Sequence, residues 1–139
     1  MSTKSIICTL AGAAGGAFCY LVGGWHSDIL TLLVFMAIDF ASGIIVAAVF
    51  KKSSKTENGA LSSKESFRGI CRKIEMIFFV VIGNMLDRYF GTNFLRSAVI
   101  VGFMANELIS IVENAALMGV TSPAIENAIE LFKKKSDKK

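Results

Sequence analysis

Residues 29–50 form an apolar run with a single formal charge, Asp39, near its middle. A helix of roughly 20 apolar residues spans the hydrocarbon core of a bilayer. A carboxylate at mid-helix costs about 2.5–3.5 kcal/mol, and a dozen large apolar residues at about −0.3 to −0.6 kcal/mol each more than offset it. The run therefore predicts a transmembrane helix, and the chain's mean hydropathy of +0.57 is too high for an ordinary soluble domain.

Three further apolar segments lie at residues 6–22, 74–90 and 97–120. The first is uncharged but rich in Ala and Gly, and a cleaved signal peptide is its alternative interpretation because Lys4 precedes it. The segment at 74–90 is short, and snorkelling of Lys73 and Arg88 toward head groups would extend it. We predict an all-α, polytopic helical membrane protein with three to four transmembrane helices plus a C-terminal amphipathic helix.

The polar stretches divide the chain into two parts. Residues 1–121 form the predicted transmembrane domain, with a basic cytoplasmic loop at 51–73, and residues 122–139 form the amphipathic helix and a basic cytoplasmic tail. Ser122 and Pro123 suit the start of that helix. Its predicted apolar face consists of Ile125, Ala128, Ile129 and Phe132.

Lysine and arginine concentrate in the connection between the second and third segments and in the tail. The positive-inside rule places both, and with them the C-terminus, on the cytoplasmic side of a membrane that the chain crosses several times. A solvated tail with no lipid role is the alternative, and the clustering does not suit a nucleic-acid interface. The residues expected to meet anionic head groups are Lys51, Lys52, Arg68, Arg72, Lys73, Lys133, Lys134 and Lys135.

Carboxylates inside the predicted spans carry the most information about function. Such groups usually face a bundle interior or a water-filled space, and desolvation favours their neutral form. We expect a protonated acid to hydrogen-bond to Asn106 or Asn114 of a neighbouring helix or subunit. These polar groups either hold a compact bundle together or line a lesion after assembly. The candidate residues for oligomer contact or lesion lining are Asp39, Ser42, Gly43, Asn106, Glu107, Ser110, Glu113 and Asn114.

The sequence holds no catalytic constellation. His26 is the single histidine and the three cysteines are odd in number, so neither a metal cluster nor a disulfide framework is indicated. The glycines form no phosphate-binding motif. We therefore predict no enzyme, no cofactor and no metal.

Several motifs occur in a recognisable order. They are Asp39-Phe-Ala-Ser-Gly43, Ser62-Ser63 leading to Arg68-Gly-Ile-Cys-Arg-Lys73, Leu86-Asp87, and Asn106-Glu107-Leu-Ile-Ser110-Ile-Val-Glu113-Asn114, continuing through Met118-Gly-Val to Pro123. With this spacing, the chain resembles the toxin-secretion and phage-lysis holin family over about residues 32–132. The apolar leader at 6–22 lies outside the resemblance.

The resemblance implies a protein that oligomerises in the cytoplasmic membrane and permeabilises it, releasing endolysin or toxin. Two alternatives stay open: a small ion-coupled transporter and a regulatory antiholin-type partner. Against the transporter, aromatic residues do not gather around the acids in the sequence as a cation site would suggest.

Overall fold

The computed structural model describes residues 2–120 and 122–136, and within its last helix it describes the side chains at 123–127, 130 and 131. The helices are α1 (Thr3–Leu21), α2 (Ser27–Ile45), α3 (Ser63–Phe90), α4 (Leu95–Leu117) and α5 (Pro123–Ser136). A π-helical turn, Val46–Phe50, continues α2. No strand occurs in the described residues, so the all-α prediction is confirmed.

Glycine and proline mark the ends of these helices. Gly91 ends α3 in the left-handed conformation, with φ of 67°, and its N–H donates to the Asp87 carbonyl. Pro123 is the first residue of α5, where its missing N–H costs nothing, and the Ser122 carbonyl accepts from Ile125 and Glu126. The predicted start of the C-terminal helix therefore agrees with the structure.

Three helical stretches are long and apolar enough to cross a membrane: Thr3–Leu21, Ser27–Phe50 and Leu95–Leu117. Helix α3 is not among them because charged residues occupy its first half. It begins at Ser63, so residues 63–73 of the basic connection are helical rather than loop. At 1.5 Å per residue the 28 residues of α3 span about 42 Å, which exceeds the hydrocarbon thickness of about 30 Å.

Helices α2, α3 and α4 pack into one bundle. Asp28 and Arg96 meet near the starts of α2 and α4, whereas Asp39 meets Asn114 further along both, so these two helices run parallel. Lys73, early in α3, contacts Glu107 of α4, whereas Asp87, late in α3, contacts Arg96 near the start of α4. Helix α3 therefore runs antiparallel to the other two. The buried apolar cluster between them consists of Val22, Ile29, Leu32, Met36, Met76, Val80 and Ile100.

Helices α1 and α5 lie at the margins of this bundle. No residue of α1 is buried, and a Cβ added at Gly12, Gly15 or Gly16 would meet no atom within 4 Å. Helix α1 contacts α3, and α5 contacts α4. Large apolar side chains also point outward from the three bundle helices, among them Val34, Phe78 and Val101, which is the surface expected of a protein solvated by lipid.

Candidate functional site

Three charged side chains from three helices meet in the middle of the bundle. The Lys73 ammonium of α3 lies 2.8 Å from Asp39 Oδ2 of α2 and 2.5 Å from Glu107 Oε2 of α4. We call Asp39, Lys73 and Glu107 the central triad. It is the polar contact that ties the first half of α3 to both other bundle helices.

A second layer of hydrogen bonds supports Asp39. The Asn114 amide Nδ2 donates to Ser42 Oγ at 2.9 Å and to Asp39 Oδ1 at 3.3 Å. Ser42 Oγ in turn donates to the Asp39 carbonyl at 3.0 Å. Asn114 and Asp39 thus come together within one chain.

The triad combines burial with a charge imbalance. Asp39 is 7% and Glu107 is 4% exposed, and the Lys73 side chain is 15% exposed. Two carboxylates face one ammonium, so one negative charge is left over. Among the described residues every buried side-chain nitrogen or oxygen has a hydrogen-bond partner, which is what a low-dielectric interior requires.

Beside the triad lies a cavity of about 900 Å³. Its walls come from the second half of α2, the first half of α3, α4 and the connection after α2. The structure places seven of the eight candidate residues along this cavity: Asp39, Gly43, Asn106, Glu107, Ser110, Glu113 and Asn114. Ser42 is not in its wall but is hydrogen-bonded to Asn114.

The structure corrects the prediction for Lys73. We expected this lysine at the membrane surface, and instead it enters the bundle and pairs with both acids. Helical spacing explains the difference, because positions 73, 76, 80, 84 and 87 recur on one face of α3 and the last four are buried. That repeat in the sequence was the signal for an inward-facing lysine.

Two expectations about the acids also need correction. The partner of Asp39 and Glu107 is a lysine ammonium, so an ion pair replaces the expected neutral hydrogen bond. The acids also do not lack aromatic neighbours, since Phe40, Phe79 and Phe103 line the same cavity. Phe79 and Phe103 come together from α3 and α4, a tertiary contact that sequence spacing does not reveal.

A second polar cluster joins the two short turns at the other end of the bundle. Arg96 Nη1 donates to Asp28 Oδ2 at 2.6 Å, and its Nε donates to the Val22 carbonyl at 2.5 Å. Asn84 Nδ2 donates to the Leu21 carbonyl at 2.8 Å. We call Arg96, Asp28, Asn84 and their carbonyl partners the turn clamp. Sequence analysis did not single out these residues.

Asp87 orders the turn that leads into α4. Its carboxylate accepts from the Thr92 hydroxyl at 2.5 Å and from the backbone N–H groups of Leu95 and Arg96 at 3.1 and 2.9 Å. A carboxylate that lies against the first turn of a helix accepts from N–H groups that have no partner within that helix. Asp87 does this for α4 from the last turn of α3. Asp87 therefore fixes the backbone from which Arg96 reaches the clamp.

Gly23 is the position where the turn clamp tolerates no side chain. Its φ is +83°, and an added Cβ would lie 2.8–2.9 Å from Arg96 atoms and collide with Asn84. We expect Gly23→Ala to lower the free energy of unfolding by at least about 1–2 kcal/mol, the cost of the left-handed conformation alone. Denaturation of the purified variant in detergent micelles, followed by circular dichroism, measures it.

Gly12→Ala is the matched control for that prediction. Gly12 is inside α1 with open space around it, so the substitution should be neutral or stabilising by about 0.5–1 kcal/mol. Equal effects at Gly12 and Gly23 would contradict the role assigned to the Gly23 turn.

The remaining basic candidates whose side chains the structure describes lie at the surface. Lys51, Lys52, Arg68 and Arg72 are exposed, and Arg68 pairs with Glu65 on the surface of α3. The side chains of Lys133, Lys134 and Lys135 lie outside the described residues, as do those of Ala128, Ile129 and Phe132 on the predicted apolar face. Contact of any of them with lipid stays a prediction.

The fold and the polar clusters define a multi-pass helical membrane protein whose buried charged side chains are hydrogen-bonded within the bundle. The sequence profile of the Bacteriophage holin family matches residues 16–134. The chain belongs to this family.

Relatives extend the comparison to cellular and phage proteins. The chain is 38% identical to an uncharacterised protein of Listeria innocua, over 88% of this chain and 83% of the relative. It is 33% identical to an uncharacterised 14.9 kDa protein of Clostridium perfringens, over 90% and 89% of the two chains. It is 34% identical to a probable holin of Bacillus phage phi105, over 68% of this chain and 64% of the relative. No solved structure matches the chain.

Proposed function

We propose that the protein is a holin-like lesion former of a bacterial cytoplasmic membrane, which oligomerises and releases an endolysin or toxin. The observation that carries this proposal is membership of the holin family over most of the chain, joined to a small bundle with a polar interior face. No catalytic step is part of the proposal.

The packing of α3 supports a four-helix topology. Met76 and Val80 of α3 belong to the same buried cluster as Leu32 of α2 and Ile100 of α4, so α3 lies at the same depth as two helices able to span the membrane. Four crossings place both ends of the chain on one side. The basic residues of the connection and tail support the cytoplasmic side.

Permeabilisation requires polar surface to face water inside an assembly. In the single chain the polar face is occupied internally, because Lys73 binds both acids and Asn114 binds Asp39 and Ser42. We propose that subunits exchange these internal contacts for contacts with other subunits, exposing the acids and amides to a lesion. Polar groups inside a membrane seldom face lipid, because contact with acyl chains costs them free energy. Exchanging internal contacts for contacts with other subunits is therefore more favourable than exposing these groups to acyl chains.

Inducible expression in a bacterium tests the function. With a co-expressed cytoplasmic endolysin and a membrane-potential dye, we expect abrupt depolarisation followed by lysis. Expression without endolysin is the control and should depolarise cells without rapid loss of turbidity. Growth with an intact potential, at confirmed membrane abundance, would contradict the proposal, and a delay of lysis by a known holin would assign an antiholin role instead.

A further inference from the structure

The cavity beside the central triad has the size and the walls of a small-molecule site. Its volume of about 900 Å³ falls within the roughly 300–1,000 Å³ typical of ligand pockets. Much of its wall is apolar, including Ile44, Met76 and Leu117. It lies between the helices and the connection after α2.

The charges around the cavity favour a cation. Five carboxylates and three cationic side chains line it, and one of the acids, Glu65, is paired with Arg68 outside the wall, so acids still exceed bases in a chain whose net charge is +4. The cations are Lys55, Arg72 and Lys73. The acids are Asp39, Glu65, Glu75, Glu107 and Glu113. Asp39 and Glu107, the most buried of them, share one lysine, so the formal charge of the central triad is negative.

Aromatic rings line the same space. Phe40, Phe79 and Phe103 contribute to its wall, and the rings of Phe79 and Phe103 meet edge to face with centroids 6.2 Å apart. Aromatic faces attract alkylated ammonium groups, and aromatic rings offer a large apolar area to an apolar body. Excess carboxylates and phenylalanines in one cavity are a combination that neither an anion nor a purely apolar ligand would need.

We propose that this cavity binds an amphipathic organic cation, with the ammonium group beside Asp39 and Glu107 and the apolar body along the phenylalanine side chains. In the unliganded chain the Lys73 ammonium occupies the position between the two acids and acts as an internal competitor. The site exists in the single chain, so this binding activity does not depend on permeabilisation, although both use Asp39 and Glu107.

Equilibrium dialysis of the purified full-length protein in an uncharged detergent tests the proposal. The probe is trimethyl(4-phenylbutyl)ammonium, compared with the neutral 5-phenylpentanol and the anionic 4-phenylbutanesulfonate, each corrected for partition into protein-free micelles. We expect the cation to bind at least about tenfold more tightly than either comparison probe, a modest figure for a unit charge in contact with a partly buried acid. Equal binding of all three probes would show mere partition and overturn the proposal.

Glu107→Gln removes the excess charge while leaving the pair of Lys73 with Asp39, so the variant should fold and bind the cation about tenfold more weakly. Glu126→Gln changes the same residue type at an exposed position of α5 and should bind like the wild type. Circular dichroism and thermal unfolding check that both variants are folded. Equal affinity of the two variants for the cation would refute the assigned site, whatever the outcome of the lysis experiment.

Discussion

Replacing Lys73 with methionine should lower the free energy of unfolding by about 3–5 kcal/mol, the usual cost of removing one partner from a buried ion pair. Methionine keeps the length and apolar stem of lysine, so lost packing contributes little. What remains is two buried carboxylates that lose their common ammonium partner. Denaturant or thermal unfolding in detergent micelles, followed by circular dichroism, measures the change.

The neutralising variants provide the control for the triad. Asp39→Asn leaves Lys73 paired with Glu107, and Glu107→Gln leaves it paired with Asp39, so each should cost much less than Lys73→Met. The triple variant Lys73→Met, Asp39→Asn, Glu107→Gln removes all three charges and should recover most of the stability lost in Lys73→Met. A triple variant as unstable as Lys73→Met would show that charge balance is not what the triad supplies.

Arg96→Ala is expected to have an effect of similar size at the other end of the bundle. The substitution removes the partner of Asp28 and the donor to the Val22 carbonyl, and it leaves a gap where a 9% exposed side chain had packed. Asp28 is 31% exposed, so the pair is only partly buried, and its loss together with the donor to the Val22 carbonyl predicts destabilisation by about 3 kcal/mol. Arg96→Lys should recover only part of it, because one ammonium cannot reproduce the divergent Nε and Nη1 donors.

Arg68→Ala is the matched control for Arg96→Ala. Arg68 also forms an arginine–carboxylate pair, with Glu65 one helical turn away, but its side chain is 58% exposed. A surface pair of this kind contributes about 0–1 kcal/mol. Similar stabilities for the two alanine variants would contradict a structural role for the turn clamp.

Much of the fold follows from hydrophobic pattern alone. The run around Asp39 predicted a spanning helix, and α2 with its π-helical turn covers it. The hydrophobic pattern did not predict the start of α3, because the charges at Lys64, Arg68 and Arg72 are also typical of a loop between spans. Charged residues are good helix formers when one helix face is solvated, so α3 extends through them.

Only part of the polar site could be predicted from the sequence. Residues on one helix face follow from spacing, as Glu107, Ser110 and Asn114 do at intervals of three and four. Partners on different helices depend on how the helices are arranged, and a lysine between two acids or an arginine reaching the Val22 carbonyl has no local signature. The buried repeat of α3 would have shown that Lys73 faces inward, but not which acids it meets.

Helix α1 touches the bundle through its last turn, so along the rest of its length its environment, and not the bundle, determines which substitutions it accepts. Since none of its residues is buried, its stability in place depends on matching its apolar length to bilayer thickness. Mutational tolerance from Thr3 to Ala17 should therefore track side-chain lipophilicity and depth, and a bulky label on this part of α1 should leave the other helices undisturbed.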